Sequence, residues 1–197
     1  MLSEIRDALL AMQDRDRSVS AQLAADGTLF GGYAPRMEAV HRENATALRR
    51  LIELYGWPHE GLVGKDGAEA AWLVAQHAIG EPAFMRRCRD LLAQEAVADR
   101  IPQWQHAYLD DRIRVFEGKS QRFGTQFELT PQGAVLCVTE APESLDERRK
   151  QIGLGPVSDR LRALAHEPRP SEQEYASRKA AEAAWRVSVG WTDGGAA

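Results

Sequence analysis

The stretch GKSQRFGTQF, residues 118–127, decides the fold. Upstream of it, apolar residues recur every three or four positions, the period of an α-helix. Downstream, RFGTQFEL and GAVLCVTE are β-rich runs around TPQG, a hairpin-turn signal. The pattern predicts a mainly α fold (α+β) with one small antiparallel β-hairpin after the fifth helix. The strands are expected at about 123–129 and 134–139.

Five helices are expected ahead of that point. The first covers 2–23, with Leu2, Ile5, Leu9, Met12, Val19 and Leu23 near one face. The glycine-rich break ADGTLFGGYAP (25–35) follows. A second helix, 36–55, is stopped by Gly56 and Pro58, and HEGLVGKDG (59–67) reads as a loop. A third covers 68–79, a fourth starts near Pro82, and a fifth runs over 102–116. Beyond the hairpin, SLDERRKQIGL opens a short helix, with Ser144 as cap and Glu147 three residues on. HEPRPS is a linker. Ser171 and Glu174 form a second capping-box pattern before a final helix towards Trp185, and TDGGAA reads as a frayed end. This implies one helical domain over 1–165, its hairpin at about 123–139, with a linker and C-terminal helix in 166–197.

Composition narrows the function. The 197 residues are 44% hydrophobic and 27% charged, as in soluble globular proteins. A net charge of −4 without a basic stripe argues against a nucleic-acid partner. No apolar run approaches membrane-spanning length, and the charged N-terminus lacks the apolar block of a signal peptide. Two distant cysteines, Cys88 and Cys137, read as reduced thiols of a cytoplasmic protein. Nucleotide-binding and standard hydrolase motifs are missing from the sequence.

The informative residues are polar ones on apolar stripes. Extending the second helix's face back from Leu48 by steps of three and four reaches Asn44 and His41. His77 lies four residues after Leu73. In the fifth helix Trp104, Tyr108, Asp111 and Val115 share a face, which makes Asp111 the inward acid and Asp110 the solvent-facing one. A buried polar group without a partner costs about 1–3 kcal/mol, so such groups are expected to meet one another or a ligand.

Several segments, HRENATALRRLIELYGWP, AAWLVAQHA, AYLDDRI, GKSQRFGTQF and DERRKQIGL, resemble in this order a bacterial family classed as a domain of unknown function. Its pattern is H-x-x-N, G-W-P, Q-H, A-Y-L-x-D-R, G-x-x-Q-x-x-G-T-Q and a closing R-R-x-x-x-G-L. The resemblance covers about 41–154. It takes in His41, Asn44, Gln76, His77, Asp111, Arg112, Gln121, Gly124, Thr125 and Gln126. Phe123 stands where the family more often has a tyrosine. The family brings no established chemistry.

The residues themselves suggest a cofactor-independent enzyme acting on a small polar molecule by general acid–base chemistry, hydrolytic in kind. His77 and His41 with Asp111 form the expected catalytic group, His77 as base or acid and Asp111 orienting an imidazole. Asn44, Gln76, Arg112, Gln121, Thr125 and Gln126 are expected around the substrate, with the glutamines of the hairpin entry as one wall. An alternative is a divalent-metal enzyme with His41, His77 and Asp111 as ligands. Another is a non-catalytic binding or immunity-type module.

Overall fold

The computed structural model describes residues 2–28 and 32–193. Its elements are mainly helical: α1 (Leu2–Ala25), α2 (Pro35–Tyr55), α3 (Glu60–His77), α4 (Pro82–Val97) and α5 (Gln103–Phe116). The hairpin β1 (Phe127–Thr130) and β2 (Gly133–Leu136) follows, then α6 (Leu145–Gln151), α7 (Val157–Leu164) and α8 (Glu172–Val189). The chain falls into two compact units, 1–101 and 102–197. Among the described residues no helix is long and apolar enough to cross a membrane.

The first unit is built on α1, α2 and α3, each packed on the other two, with α4 against α3. The stripe of α1 buries Ile5, Leu9, Met12 and Leu23, and α2 buries Met37, Val40, Leu48 and Ile52. On α3 the inward positions are mostly small, with Ala70, Ala71 and Ala75 fully buried. Small side chains let α1 approach the α3 backbone closely, and removing this apolar surface from water drives the assembly. Near the end of α1, Leu23 packs with Met37 and Val40, and Tyr33 rests against that cluster. At the other end of α2, Gly56 takes a left-handed backbone (φ +77°) that side-chain-bearing residues resist, and its N–H bonds the carbonyl of Ile52.

One expected loop is helical. Residues 60–67 belong to α3, which is two helical pieces joined at Gly64, whose φ of +74° and ψ of 167° break the helix. The glycines of HEGLVGKDG suggested a loop, and only one of them, Gly64, interrupts the helix. A second difference is α7, which starts after Pro156. Its Val157, Leu161 and Leu164 carry a short helical stripe that lies against β2.

In the second unit, β1 and β2 pair antiparallel, from Phe127 opposite Leu136 to Thr130 opposite Gly133. Pro131 and Gln132 form the two-residue connection, braced by Thr130 Oγ1 donating to the Gly133 carbonyl at 2.8 Å. The first strand starts four residues later than expected. Ser144 precedes α6 but caps nothing with its side chain. Its hydroxyl instead donates to the Ala141 carbonyl and accepts from Arg148. The capping box of Ser171 and Glu174 is present at the start of α8. α8 lies along the hairpin and α5: Lys179 meets Glu128 at 2.8 Å, Arg178 donates to the Leu129 carbonyl, and Trp185 packs on Phe116. Of the expected frayed end, 194–197 lies outside the described residues.

Candidate functional site

In the first unit, three helices bring a carboxylate and two imidazoles together. Asp16 comes from α1, His41 from α2 and His77 from the last position of α3. Asp16 is 3% exposed and His41 9%, whereas the His77 side chain is 32% exposed, so the cluster reaches the surface through His77. Asp16 Oδ2 lies 2.8 Å from His77 Nδ1 in an aligned hydrogen bond. The same oxygen lies 3.1 Å from His41 Nε2. That second contact is close but not aligned, and His41 Nε2 is a buried nitrogen without a hydrogen-bond partner. The two imidazole centroids are 5.1 Å apart, with the rings tilted by 46°.

Tyr33 fixes the outer side of His41. Its hydroxyl sits 2.8 Å from Nδ1, and its ring stacks on the imidazole at 5.7 Å between centroids. Burial pushes the Asp16 carboxyl up, but the hydrogen bond from His77 and the close, charge-bearing contact with His41 outweigh it and hold the group well below the usual carboxylate range. Burial likewise drives the Tyr33 phenol above its ordinary value, so the hydroxyl stays protonated. A narrow crevice beside His41, without room for a water molecule, is lined by Tyr33, Glu38, Arg42, Gly80 and Glu81. Arg42 and Arg49 face the two glutamates there, with Arg49 at 3.1 Å from Glu81.

His41 and His77, expected to turn inward, do meet. Asn44 is buried where its stripe placed it, but its amide donates to the Met12 carbonyl at 3.1 Å and ties α2 to α1. Gln76 is buried on α3 beside His77. Asp111 serves elsewhere. It belongs to the second unit, fully buried, and both its oxygens are taken up by the loop ahead of β1. Arg122 N donates to Oδ1 at 2.6 Å, Phe123 N to both oxygens at 3.1 Å, and Thr125 N and Oγ1 to Oδ2 at 3.1 and 3.0 Å. Residues 122–125 wrap the carboxylate, so they cannot pair as a strand. Gly124, at φ +62°, supplies the left-handed step in that wrap.

The crowded amides of the opening stretch have the same purpose. Gln121 is 0% exposed. Its Nε2 donates to the carbonyls of Gln126 and Cys137 at 3.0 and 2.9 Å, and its Oε1 accepts from Gln126 N at 2.9 Å. A buried glutamine thus stands in for backbone at the mouth of the hairpin. The Gln126 amide donates to Thr125 Oγ1 at 3.0 Å. Arg112 is partly buried on α5, and burial lowers its guanidinium to about 10, which leaves it charged at neutral pH. Asp110, expected to face water, is buried as well. α5 also buries Gln105, Ala107, Leu109 and Ile113, so more than one of its faces is enclosed. Arg149 is buried and donates to the carbonyls of Phe123, Gly124 and Gly155, which locks α6 onto the same loop.

Two members of the cluster escaped the sequence reading. Asp16 continues the α1 stripe of Ile5, Leu9, Met12, Val19 and Leu23 at the helical spacing, and its place there is the signal. The surrounding run DRDR disguises it as surface charge. Tyr33 sits in the glycine-rich break, where no period marks its side chain.

The chain belongs to a family of unknown function (DUF6624), whose pattern matches residues 3–168. That span takes in every residue of the cluster and ends before α8. No curated protein and no solved structure matches the chain.

Proposed function

We propose that a member of this family, which lends no activity of its own, is an enzyme that moves a proton on a small polar molecule at Asp16, His41 and His77, with hydrolysis as the reaction class. The observation that carries the reading is the 2.8 Å bond from buried Asp16 Oδ2 to Nδ1 of the partly exposed His77. A buried carboxylate on Nδ1 holds the imidazole in one tautomer and supports the positive charge it acquires as a base. Nε2 of His77 is then the atom that takes a proton from water. The water oxygen bonds to the electrophilic carbon or phosphorus, the bond to the leaving group breaks, and the proton passes from Nε2 to that group. Tyr33 keeps His41 in place, so that His77 alone is presented to solvent. Free Cys88 and Cys137 fit a cytoplasmic setting.

The test is a panel of small chromogenic esters, amides and phosphoesters assayed with the wild-type chain, His77→Gln and Asp16→Asn. On any substrate turned over, His77→Gln should lose about 100-fold or more in rate. Equal turnover by His77→Gln, or no hydrolysis across the panel, sinks the reading.

A further inference from the structure

We propose that Asp16, His41 and His77 bind one divalent transition-metal ion of the zinc class. The proposal rests on the reading of this cluster as the working site and adds an ion at its centre.

Three observations carry it. First, the three candidate ligand atoms lie within 4.8 Å of one another, and the two contacts to Asp16 Oδ2 measure 2.8 and 3.1 Å. Ligands about 2.0–2.2 Å from a common ion stand about 3 Å apart, the spacing that both contacts to Asp16 already show, so a small inward shift of the two imidazoles closes the shell. Second, His41 Nε2 is buried and lacks a hydrogen-bond partner although a carboxylate oxygen is only 3.1 Å away. A lone pair that misses the oxygen beside it suits a third point that both atoms face. A buried nitrogen left so is costly unless something else occupies that point. Third, the other nitrogen of His41 is held by Tyr33 at 2.8 Å. Metal-bound imidazoles are oriented in this way, with the distal N–H donated to a fixed oxygen. Two imidazoles and one carboxylate are a recognised ligand set for zinc and iron(II), with positions left for water or substrate.

The tautomers follow. His41 ligates through Nε2 and donates Nδ1–H to the Tyr33 hydroxyl. His77 ligates through Nδ1, and the proton it now shares with Asp16 resides on Nε2. His77 is the member of the set that reaches the surface, with 32% of its side chain exposed, and water or substrate would approach the ion past it. A water bound there, with its pKa lowered to about 7, would replace His77 as the base.

The test uses the full chain purified without a histidine tag, stripped with a chelator and titrated with zinc chloride by calorimetry. Cobalt(II) chloride is added in parallel, and its visible absorption reports the ligand field. We expect one ion per chain, with affinity reduced about tenfold or more in Asp16→Asn, His41→Ala and His77→Gln. Tyr33→Phe should weaken binding by about tenfold, the scale of a lost outer-shell partner. His166→Gln, an exposed histidine elsewhere, should bind as the wild type does. Circular dichroism checks folding; if His41→Ala is unfolded, His77→Gln and Tyr33→Phe decide. No saturable binding by the wild type, or equal binding by all the variants (an adventitious ion only), overturns the proposal. Chelator-resistant hydrolysis abolished by His77→Gln would overturn the metal and leave the acid–base reading standing. Binding of one ion without any hydrolysis would do the reverse.

Discussion

Asp16 and Asp111 are both buried aspartates in the middle of helices, and they are used in opposite ways. Asp111 is surrounded by donors that cannot titrate: three backbone N–H groups and a threonine hydroxyl. Burial raises its carboxyl, and the hydrogen bonds from Arg122, Phe123 and Thr125 pull back against that rise. Asp16 is surrounded by two imidazoles, which can exchange a proton or a metal ion, and its carboxyl is held low. A carboxylate saturated by amides organises a fold. A carboxylate saturated by imidazoles can do chemistry, because its partners can change state.

The largest effect should come from Asp111→Ala. It strands the amides of 122, 123 and 125 in a buried loop and leaves a void, a loss of about 3–5 kcal/mol. Urea denaturation measures it. A variant within 1 kcal/mol, to take a round threshold, would break the contrast with Asp16. Gln121→Ala comes next. It deletes three hydrogen bonds at a position with no exposure, and about 2–4 kcal/mol is expected by the same measurement.

Asp16→Asn should change stability less, by about 1–2 kcal/mol, while turnover and zinc affinity fall. Its pH dependence sharpens the comparison. A carboxyl held low in the folded state adds stability that is fully present above its unfolded pKa of about 4. That stability is lost as pH falls below this value towards the depressed one. The wild type should therefore lose stability below pH ~4 more steeply than Asp16→Asn, as thermal melts across that range would record. Parallel profiles would show that Asp16 is not the group held low. Gln126→Ala should be the smallest change, within ~1 kcal/mol, since it removes one partly buried bond to Thr125. Hydrolysis and zinc binding should be unaltered. A loss of either at normal stability would return the hairpin lip to the site, as the sequence first suggested.

The sequence by itself determined most of the helical elements, the hairpin and the faces of several side chains. The 3.6-residue stripe put His41 and Asn44 inside α2, and both are buried there. The capping box set the start of α8, because a serine and a glutamate three residues apart satisfy a helix end locally. Other features depended on contacts between distant segments. HEGLVGKDG is helical despite its glycines, and 122–125 leaves the strand because a buried carboxylate eleven residues earlier gathers its amides. Which acid meets the histidines was likewise decided in three dimensions. Periodicity tells which side of a helix a residue faces, but not which helix lies opposite. Asp111 and Asp16 both lay on inward stripes, and only the packing of α1 against α2 and α3 placed Asp16 between the two imidazoles.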